Sequence, residues 1–520
     1  MSERDQYSGE ALRVLHKRGL GEGTLNFVLA IGSAVLLIAL FPNYNFVVLA
    51  PVALTPLLIA ASRERRWLWR FACGYAAGVV YWFGLCNWIQ WTLEQHAGVT
   101  SGVAWFLFAL FCLAKAVQTG VFAAAAGALP SKHWTPPAIA ALWVVVEYTH
   151  SWTGFEWLNL GNAASDMSFL LRLAPVTGVW GLSFVFALMS AVIAAVILRR
   201  QRLASLWLVL LLGLYLLPEI PRPERGSEAA VAVQPNMDDE TTWTPELLQR
   251  TEDQMKGLSV SPVLSGRDGR GRAPSLIVWP EDPAPFYAND GRFVGFVSSV
   301  AKLAGADVLT GAIGRAPDSA PLNSALLVSP DGSIVSRYDK VNLVPFGEFV
   351  PWPFGMITQK VSTEAGDFEP GHGIVISPLG AHKIGTFICY ESVFPSYIRR
   401  FAGDGAEALF NLSNDSWFGK SQARYQHLRI VRMRAAENRR WIVRATNNGI
   451  TASIDPAGRV VETLPEYREA AARLPYGYRS DLTLYTRFGD WFVAVCAAVV
   501  LAAVAPLLRR LVIHRGPQRA

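Results

Sequence analysis

The sequence predicts a polytopic α-helical membrane bundle of about eight helices that carries an α/β domain. Three observations predict it. Hydrophobic residues make up 52% of the 520 positions and charged residues only 17%. Apolar runs close to the roughly 20 residues that cross a bilayer fill the first 218 positions and return near the C-terminus. Between them, from about 219 to 488, short apolar runs alternate with amphipathic stretches, the texture of sheets covered by helices.

The expected spans are 25–42, 45–61, 68–92, 102–129, 134–149, 168–198, 203–218 and 489–508. Arginines orient them. Arg63, Arg65 and Arg66 follow the second span, Arg199, Arg200 and Arg202 the sixth, and Arg509, Arg510 and Arg515 the last. With eight spans all three clusters fall on one side, together with Arg13, Lys17 and Arg18 of the N-terminal arm. The positive-inside rule makes that side cytoplasmic. Three regions result: an arm with seven helices over 1–218, an exported domain over 219–488, and a last helix with a cytoplasmic tail over 489–520. The exported domain is then periplasmic, in the inner membrane of a bacterium with two membranes. No stretch near the N-terminus has the form of a cleaved signal. The formal net charge of +6 sits mostly on these flanks and gives no argument for nucleic acid.

Lys115 and Glu147 fall inside expected spans. Intramembrane charges usually face the bundle interior and pair, so a Lys–Glu pair stands beside a role near a lipid headgroup. Trp88, Trp91, Trp105, Trp152 and Trp157 cluster near helix ends, as an interfacial aromatic belt does. Pro175, Gly178 and Gly181 bend the chain before the sixth span.

Pro218, Pro221 and Pro223 mark a linker. Strands follow over 229–233, 276–279, 307–313, 324–328, 334–338, 374–376, 383–389, 408–412, 441–445 and 451–454, with helices over 245–257, 292–304 and 422–438. Asp331-Gly332 is a hairpin signal, and Asp455-Pro456-Ala457-Gly458 another turn. The chain shows no repeats and no metal-spaced Cys/His groups.

Three residues stand out at expected strand ends in this domain. Glu281 follows Leu276-Ile277-Val278-Trp279-Pro280, and Lys340 follows Ser336-Arg337-Tyr338-Asp339. Cys389 ends Gly385-Thr386-Phe387-Ile388, where a strand-to-helix turn would expose a nucleophile. Cys389 is also the one cysteine of the polar region; Cys73, Cys86, Cys112 and Cys496 lie in apolar segments. An unpaired thiol in an oxidising compartment suggests one kept free for use. A thiol needs a base, and a carboxylate in an apolar setting suits that task. An ammonium beside them stabilises both thiolate and oxyanion. Each residue alone reads as a solvated strand end or a buried structural cysteine. Together they are a nucleophile, a base and an electrostatic stabiliser.

Glu281, Lys340 and Cys389, in that order, resemble the Glu-Lys-Cys triad of the nitrilase superfamily. Further text is more specific: Leu343-Val344-Pro345-Phe346-Gly347-Glu348-Phe349-Val350-Pro351, Cys389-Tyr390-Glu391, Asn414-Asp415-Ser416-Trp417-Phe418-Gly419, Gln426-His427, Arg434-Ala435-Ala436-Glu437 and Arg444-Ala445-Thr446-Asn447-Asn448-Gly449. With helices on both sides, the whole chain resembles the apolipoprotein N-acyltransferase family. That resemblance implies a nitrilase-like αββα sandwich on an eight-helix bundle, with Cys389 as nucleophile, Glu281 as base and Lys340 as oxyanion stabiliser. It implies support or substrate contact for Glu348, Tyr390, Glu391 and Trp243, and the Tyr390 backbone N–H is placed to help hold the oxyanion. The chain departs from the family at Asn342, where His is usual. It departs also at Glu156 in place of a proline, over Gly161-Asn162-Ala163-Ala164, and at His150, near which an arginine is expected.

The implied reaction passes an acyl chain from a membrane phospholipid, phosphatidylethanolamine by resemblance, through a Cys389 thioester. The acceptor is the N-terminal amine of diacylglyceryl-cysteine on an apolipoprotein. No metal or dissociable cofactor is needed. The competing readings are a membrane-anchored amidohydrolase, in which water takes the acyl group, and a receptor or transporter with a retired catalytic domain. The segment 344–357, rich in Pro, Gly and large apolar residues, reads either as a loop packed on its own domain or as a lid that dips into the interface.

Overall fold

The computed structural model describes residues 21–96, 98–198, 202–219, 226–237, 243–265, 274–284, 286–350 and 368–514. Its first half is helical. Among the described residues three helices are long and apolar enough to cross a membrane: Glu22–Ala39, Ser101–Ala128 and Val179–Ile197. Shorter apolar helical stretches lie at 47–63, 168–177, 203–216 and 491–505. Three of the eight expected spans thus hold a helix of that length, and others hold shorter apolar pieces.

The breaks have local causes. The expected span 45–61 divides into a 3-10 turn, Val47–Val52, and a helix, Thr55–Arg63. Pro51 sits inside the turn and Pro56 in the first turn of the helix, and neither has an N–H for a continuous ladder. The span 68–92 breaks at Asn87 into Trp67–Cys86 and Trp88–His96; Asn87 accepts a hydrogen bond from Gln422 at 2.7 Å. The span 168–198 becomes Ser168–Leu171, Ala174–Thr177 and Val179–Ile197. The bend falls at Gly178, as expected, with φ +67°; a Cβ there would stand 2.6 Å from the Tyr485 ring. The seventh span is a 3-10 helix, Arg202–Leu216.

Lys115 and Glu147 do not pair. The Lys115 ammonium donates to Thr153 Oγ1 at 3.0 Å and to the Phe155 carbonyl at 2.9 Å, and lies over the Trp82 ring. Glu147 instead accepts the Leu160 N–H at 2.6 Å. Two of the expected belt tryptophans are also interior. Trp88 and Trp157 pack on each other and on Phe418, and the Trp157 indole donates to Gln426. The α/β domain supplies partners that hydropathy cannot see.

That domain holds two six-stranded sheets. The first runs β12-β1-β2-β3-β4-β5 and the second β11-β10-β9-β8-β7-β6. In chain order these are β1 Glu228–Gln234, β2 Leu276–Val278, β3 Asp307–Arg315, β4 Pro321–Val328, β5 Ile334–Asp339 and β6 Ile376–Leu379. There follow β7 His382–Ile388, β8 Ala408–Ser413, β9 Ile442–Thr446, β10 Ala452–Ile454, β11 Val460–Thr463 and β12 Ala470–Tyr476. Period-two alternation sorts the side chains. In the first sheet Ala230, Ala232, Leu276, Val278, Leu309 and Leu327 face the second sheet. Val231, Val233, Ile277, Trp279, Val308 and Val328 face the other way, onto helices Pro245–Ser265 and Gly291–Ala304. Helices Pro395–Gly403 and Ala423–Asn438 lie against the second sheet, completing the αββα order.

Helix Ala423–Asn438 is shared by the two halves of the molecule. Val431 and Ala435 pack toward the sheet, while Ile430, Met433 and Ala436 pack into the cluster of the membrane half. Its polar groups are also bonded across: Arg429 and Arg432 to Asp166, and Glu437 to the Val179 N–H at 2.8 Å. The sequence reading had no place for β11, β12 or the helix Pro395–Gly403. Strand β12 reads Ala-Ala-Ala-Arg-Leu-Pro-Tyr, weak in strand preference. It is held by a seven-residue antiparallel register with β1 at the sheet edge, where Pro475 is tolerated.

Candidate active site

Strand ends bring the triad together. Glu281 follows β2, Lys340 follows β5, and Cys389 follows β7, so two sheets contribute to one buried centre. The loop carrying Glu281 lies against β3 at Gly311, whose N–H donates to the Pro280 carbonyl at 3.2 Å. A Cβ at Gly311 would stand 2.6 Å from the Asp282 nitrogen, so only glycine admits this approach. Cys389 has φ +46°, a left-handed value that is strained for a side chain with a Cβ. It opens a 3-10 turn, Cys389–Val393.

The Lys340 ammonium donates to Glu281 Oε1 at 3.1 Å and to Glu348 Oε1 at 2.9 Å. Asn323 Nδ2 donates to the same two oxygens, at 2.8 and 2.7 Å. The other oxygen of Glu281 accepts the Asn414 N–H at 2.9 Å, and that of Glu348 the Val344 N–H at 2.7 Å. Both carboxylates are therefore clamped at each oxygen. Burial opposes the Lys340 charge, yet the two carboxylates outweigh it and hold its pKa well above the ordinary lysine value. Burial pushes the Cys389 thiol up, and the Glu281 carboxylate pushes it further; Lys340 acts in the opposite sense. The resting thiol is neutral at physiological pH, so attack requires a base at the moment of reaction.

Of the four supporting candidates, three reach this centre. Glu348 completes the ammonium's shell. Glu391 binds the Ile388 N–H through one oxygen at 2.8 Å, and Tyr338 OH at 2.6 Å and Val341 N–H at 2.8 Å through the other. It thereby ties the end of β7 to the segment after Lys340. Tyr390 donates its hydroxyl to the Gly154 carbonyl at 2.6 Å, joining the turn to the membrane half. Trp243 is placed elsewhere, half-buried against the outer cluster that contains Met255 and Trp279. Asn342 lies two residues beyond Lys340 and donates its N–H to Glu391 at 3.2 Å. Glu156 is buried and accepts from Asn159 at 3.0 Å. Of the lid candidate only 344–350 is described; 351–357, with Trp352, Phe354 and Ile357, lies outside the described residues.

The sequence profile described as Apolipoprotein N-acyltransferase N-terminal domain matches residues 33–192, and that described as Carbon-nitrogen hydrolase matches 245–475. An apolipoprotein N-acyltransferase of Geobacter metallireducens is 33% identical over 517 residues, covering 94% of this chain and 96% of its own. The chain belongs to the apolipoprotein N-acyltransferase family. A Vibrio parahaemolyticus member of that name is 29% identical, over 88% of this chain and 92% of its own. Saccharomyces cerevisiae Nit3, of the nitrilase superfamily, is a structural neighbour at 16% identity and TM-score 0.38. It covers 48% of this chain and 90% of its own.

Behind the nucleophile this family member carries a buried polar network to which the sequence reading assigned no role. Ser413 acts on the Cys389 thiol in the opposite sense to burial. Asp415 accepts from Ser413 at 3.1 Å and pairs with Arg444, which also reaches Asn411. His427 Nδ1 lies 3.3 Å from Asp415 and 3.2 Å from Arg444 Nη2. Burial works against the Asp415 charge, but Arg444 and His427 hold its pKa well below the carboxylate range. The one signal in the sequence was polar residues, Asn411, Ser413 and Arg444, inside otherwise apolar strands.

Proposed function

We propose that this family member moves an acyl chain from a membrane phospholipid to Cys389, and from there to the α-amine of a diacylglyceryl-modified N-terminal cysteine of an apolipoprotein. The observation that carries the mechanism is the buried set of Glu281, Lys340 and Cys389 with every carboxylate oxygen held in place. Glu281 takes the thiol proton as sulfur bonds to the ester carbonyl carbon. Charge on the resulting oxyanion is met by the Lys340 ammonium and the Tyr390 N–H. Collapse breaks the C–O bond, and Glu281 returns the proton to the departing lysophospholipid oxygen. In the second half the acceptor amine attacks the thioester carbonyl, Glu281 takes its proton, and the C–S bond breaks to restore the thiol. Glu348 keeps a carboxylate on Lys340 while Glu281 is protonated.

In this reading the membrane half forms a multi-pass, eight-span bundle in the inner membrane, with the shorter apolar pieces completing it. The catalytic domain then faces the periplasm. What supports this is the distribution of arginines and the packing of helix Ala423–Asn438 on the membrane half. The test is incubation of the full chain with phosphatidylethanolamine and a diacylated lipopeptide, followed by mass spectrometry of the peptide. The expected product gains one acyl chain with wild-type enzyme and none with Cys389→Ala. Peptide acylated equally by both would overturn the assignment.

A further inference from the structure

Beside the triad lies a cavity of about 740 Å³. Its wall is shared between both halves of the molecule. Ser151 and Gly154 come from the membrane half, Val341 and Asn342 from the segment after Lys340, and Ser396 and Arg400 from helix Pro395–Gly403. Four contacts connect it to the reacting centre. The Gly154 carbonyl accepts the Tyr390 hydroxyl, the Val341 and Asn342 N–H groups both donate to Glu391, and Phe394 stands edge-on to Tyr390 with centroids 5.5 Å apart.

The lining has two chemistries. Leu343, Phe349 and Phe368 offer a surface suited to hydrocarbon. Arg400 is the one charged side chain among the described lining residues. It is exposed, lies 5.9 Å from the centre of the Tyr397 ring, and makes no ion pair among the described residues. Asn342 Nδ2 is shielded from solvent and meets no acceptor among the described residues. A buried amide donor without an acceptor is costly unless a ligand supplies one.

We propose that this cavity takes the donor phospholipid by its glycerophosphate end, with Arg400 paired to the phosphodiester and Asn342 Nδ2 donating to one of its oxygens. The proposal rests on the phospholipid-donor reading above. A planar guanidinium matches two phosphate oxygens at once, and the apolar wall takes the chain whose ester faces Cys389. The diacylglyceryl acceptor carries no phosphate. The same pole therefore separates donor from acceptor and spares the acceptor's own esters.

The test uses the full chain in detergent micelles and reads the Cys389 acyl-enzyme by intact mass in single turnover. Donors are phosphatidylethanolamine and diacylglycerol with the same chains. Wild type should prefer the phospholipid, and Arg400→Gln should shrink that preference by about tenfold, the order expected for a lost charge-assisted pair. Asn342→Ala should shrink it less, and Arg400→Lys should restore part of it. Glycerophosphoethanolamine should slow acylation from the phospholipid more than inorganic phosphate does. An unchanged donor ratio in Arg400→Gln, equal loss with both donors, or equal inhibition by inorganic phosphate would overturn the headgroup site. Absence of acyl-enzyme in wild type from either donor would instead refute the proposed function.

Discussion

The imidazole Nε2 of His427 lies 3.1 Å from the carbonyl oxygen of Cys389, the residue whose backbone turns left-handed at the end of β7. The same nitrogen is 2.8 Å from Ser392 Oγ, inside the same turn. His427 therefore grips the strained turn from behind through Nε2, while Arg444 Nη2 donates to its Nδ1 at 3.2 Å. A left-handed Cys persists only where its surroundings over-determine it.

Replacing His427 with Ala should consequently slow acylation of Cys389 about 10- to 100-fold, with phospholipid affinity little changed. Removing the ring also takes the imidazole partner from the Cys389 carbonyl in a dry interior. Single-turnover acylation against donor concentration separates the two effects. An acylation rate equal to wild type would show that the turn holds itself.

Burial, with the Arg444 charge, lowers the pKa of His427 below its ordinary value. In the window from that lowered value up to about 6.5, the unfolded chain binds a proton that the folded chain does not. Stability contributed by neutral His427 is therefore fully present above about 6.5 and is lost as pH falls through the window. Thermal unfolding of wild type should lose midpoint temperature on acidification, and His427→Gln should show a shallower slope. Parallel slopes would assign the acid sensitivity to other groups.

The roles of the two carboxylates should separate by magnitude. Glu281→Gln removes the proton acceptor and should cut thioester formation by about 10²- to 10⁴-fold. Lys340→Ala should cost about 10²- to 10³-fold through the oxyanion, and Lys340→Arg should fail as well, because a planar fork cannot replace a compact ammonium. Glu348→Gln leaves the base intact and should cost about tenfold. Rates in the order Glu348→Gln below Glu281→Gln would exchange their assignments.

Topology is open to a cysteine reporter. The turn at Gly458 is a poor site, since its φ is +75° and a Cβ there would stand 2.6 Å from the Arg432 carbonyl. Asp318, exposed in the loop between β3 and β4, has no such obstacle. With the catalytic domain in the periplasm, Asp318→Cys should react with an impermeant thiol reagent in intact spheroplasts. Labelling only after lysis would place the domain on the other side.

The sequence by itself determined the α/β domain and pointed to Glu281, Lys340 and Cys389 within it. Strand residues alternate between two faces, so Glu281, Lys340 and Cys389 stand out as charged or reactive groups where strands stop. It determined also that the first half is membrane-like, because hydrocarbon thickness sets run length. Where the helices break was not legible. Proline at 51 and 56 and glycine at 178 divide the runs, and hydropathy averages over such breaks. Tertiary structure alone decided that Trp157 meets Gln426 and not lipid, and that Lys115 binds the Thr153 hydroxyl and the Phe155 carbonyl and not Glu147. It alone decided the network behind the nucleophile. Asn411 and Arg444 are 33 positions apart in the chain, yet they are direct partners in the parallel register of β8 and β9. His427 reaches Cys389 only because helix Ala423–Asn438 lies against that sheet. Such contacts depend on which strands become neighbours, and no local pattern of residues encodes that choice.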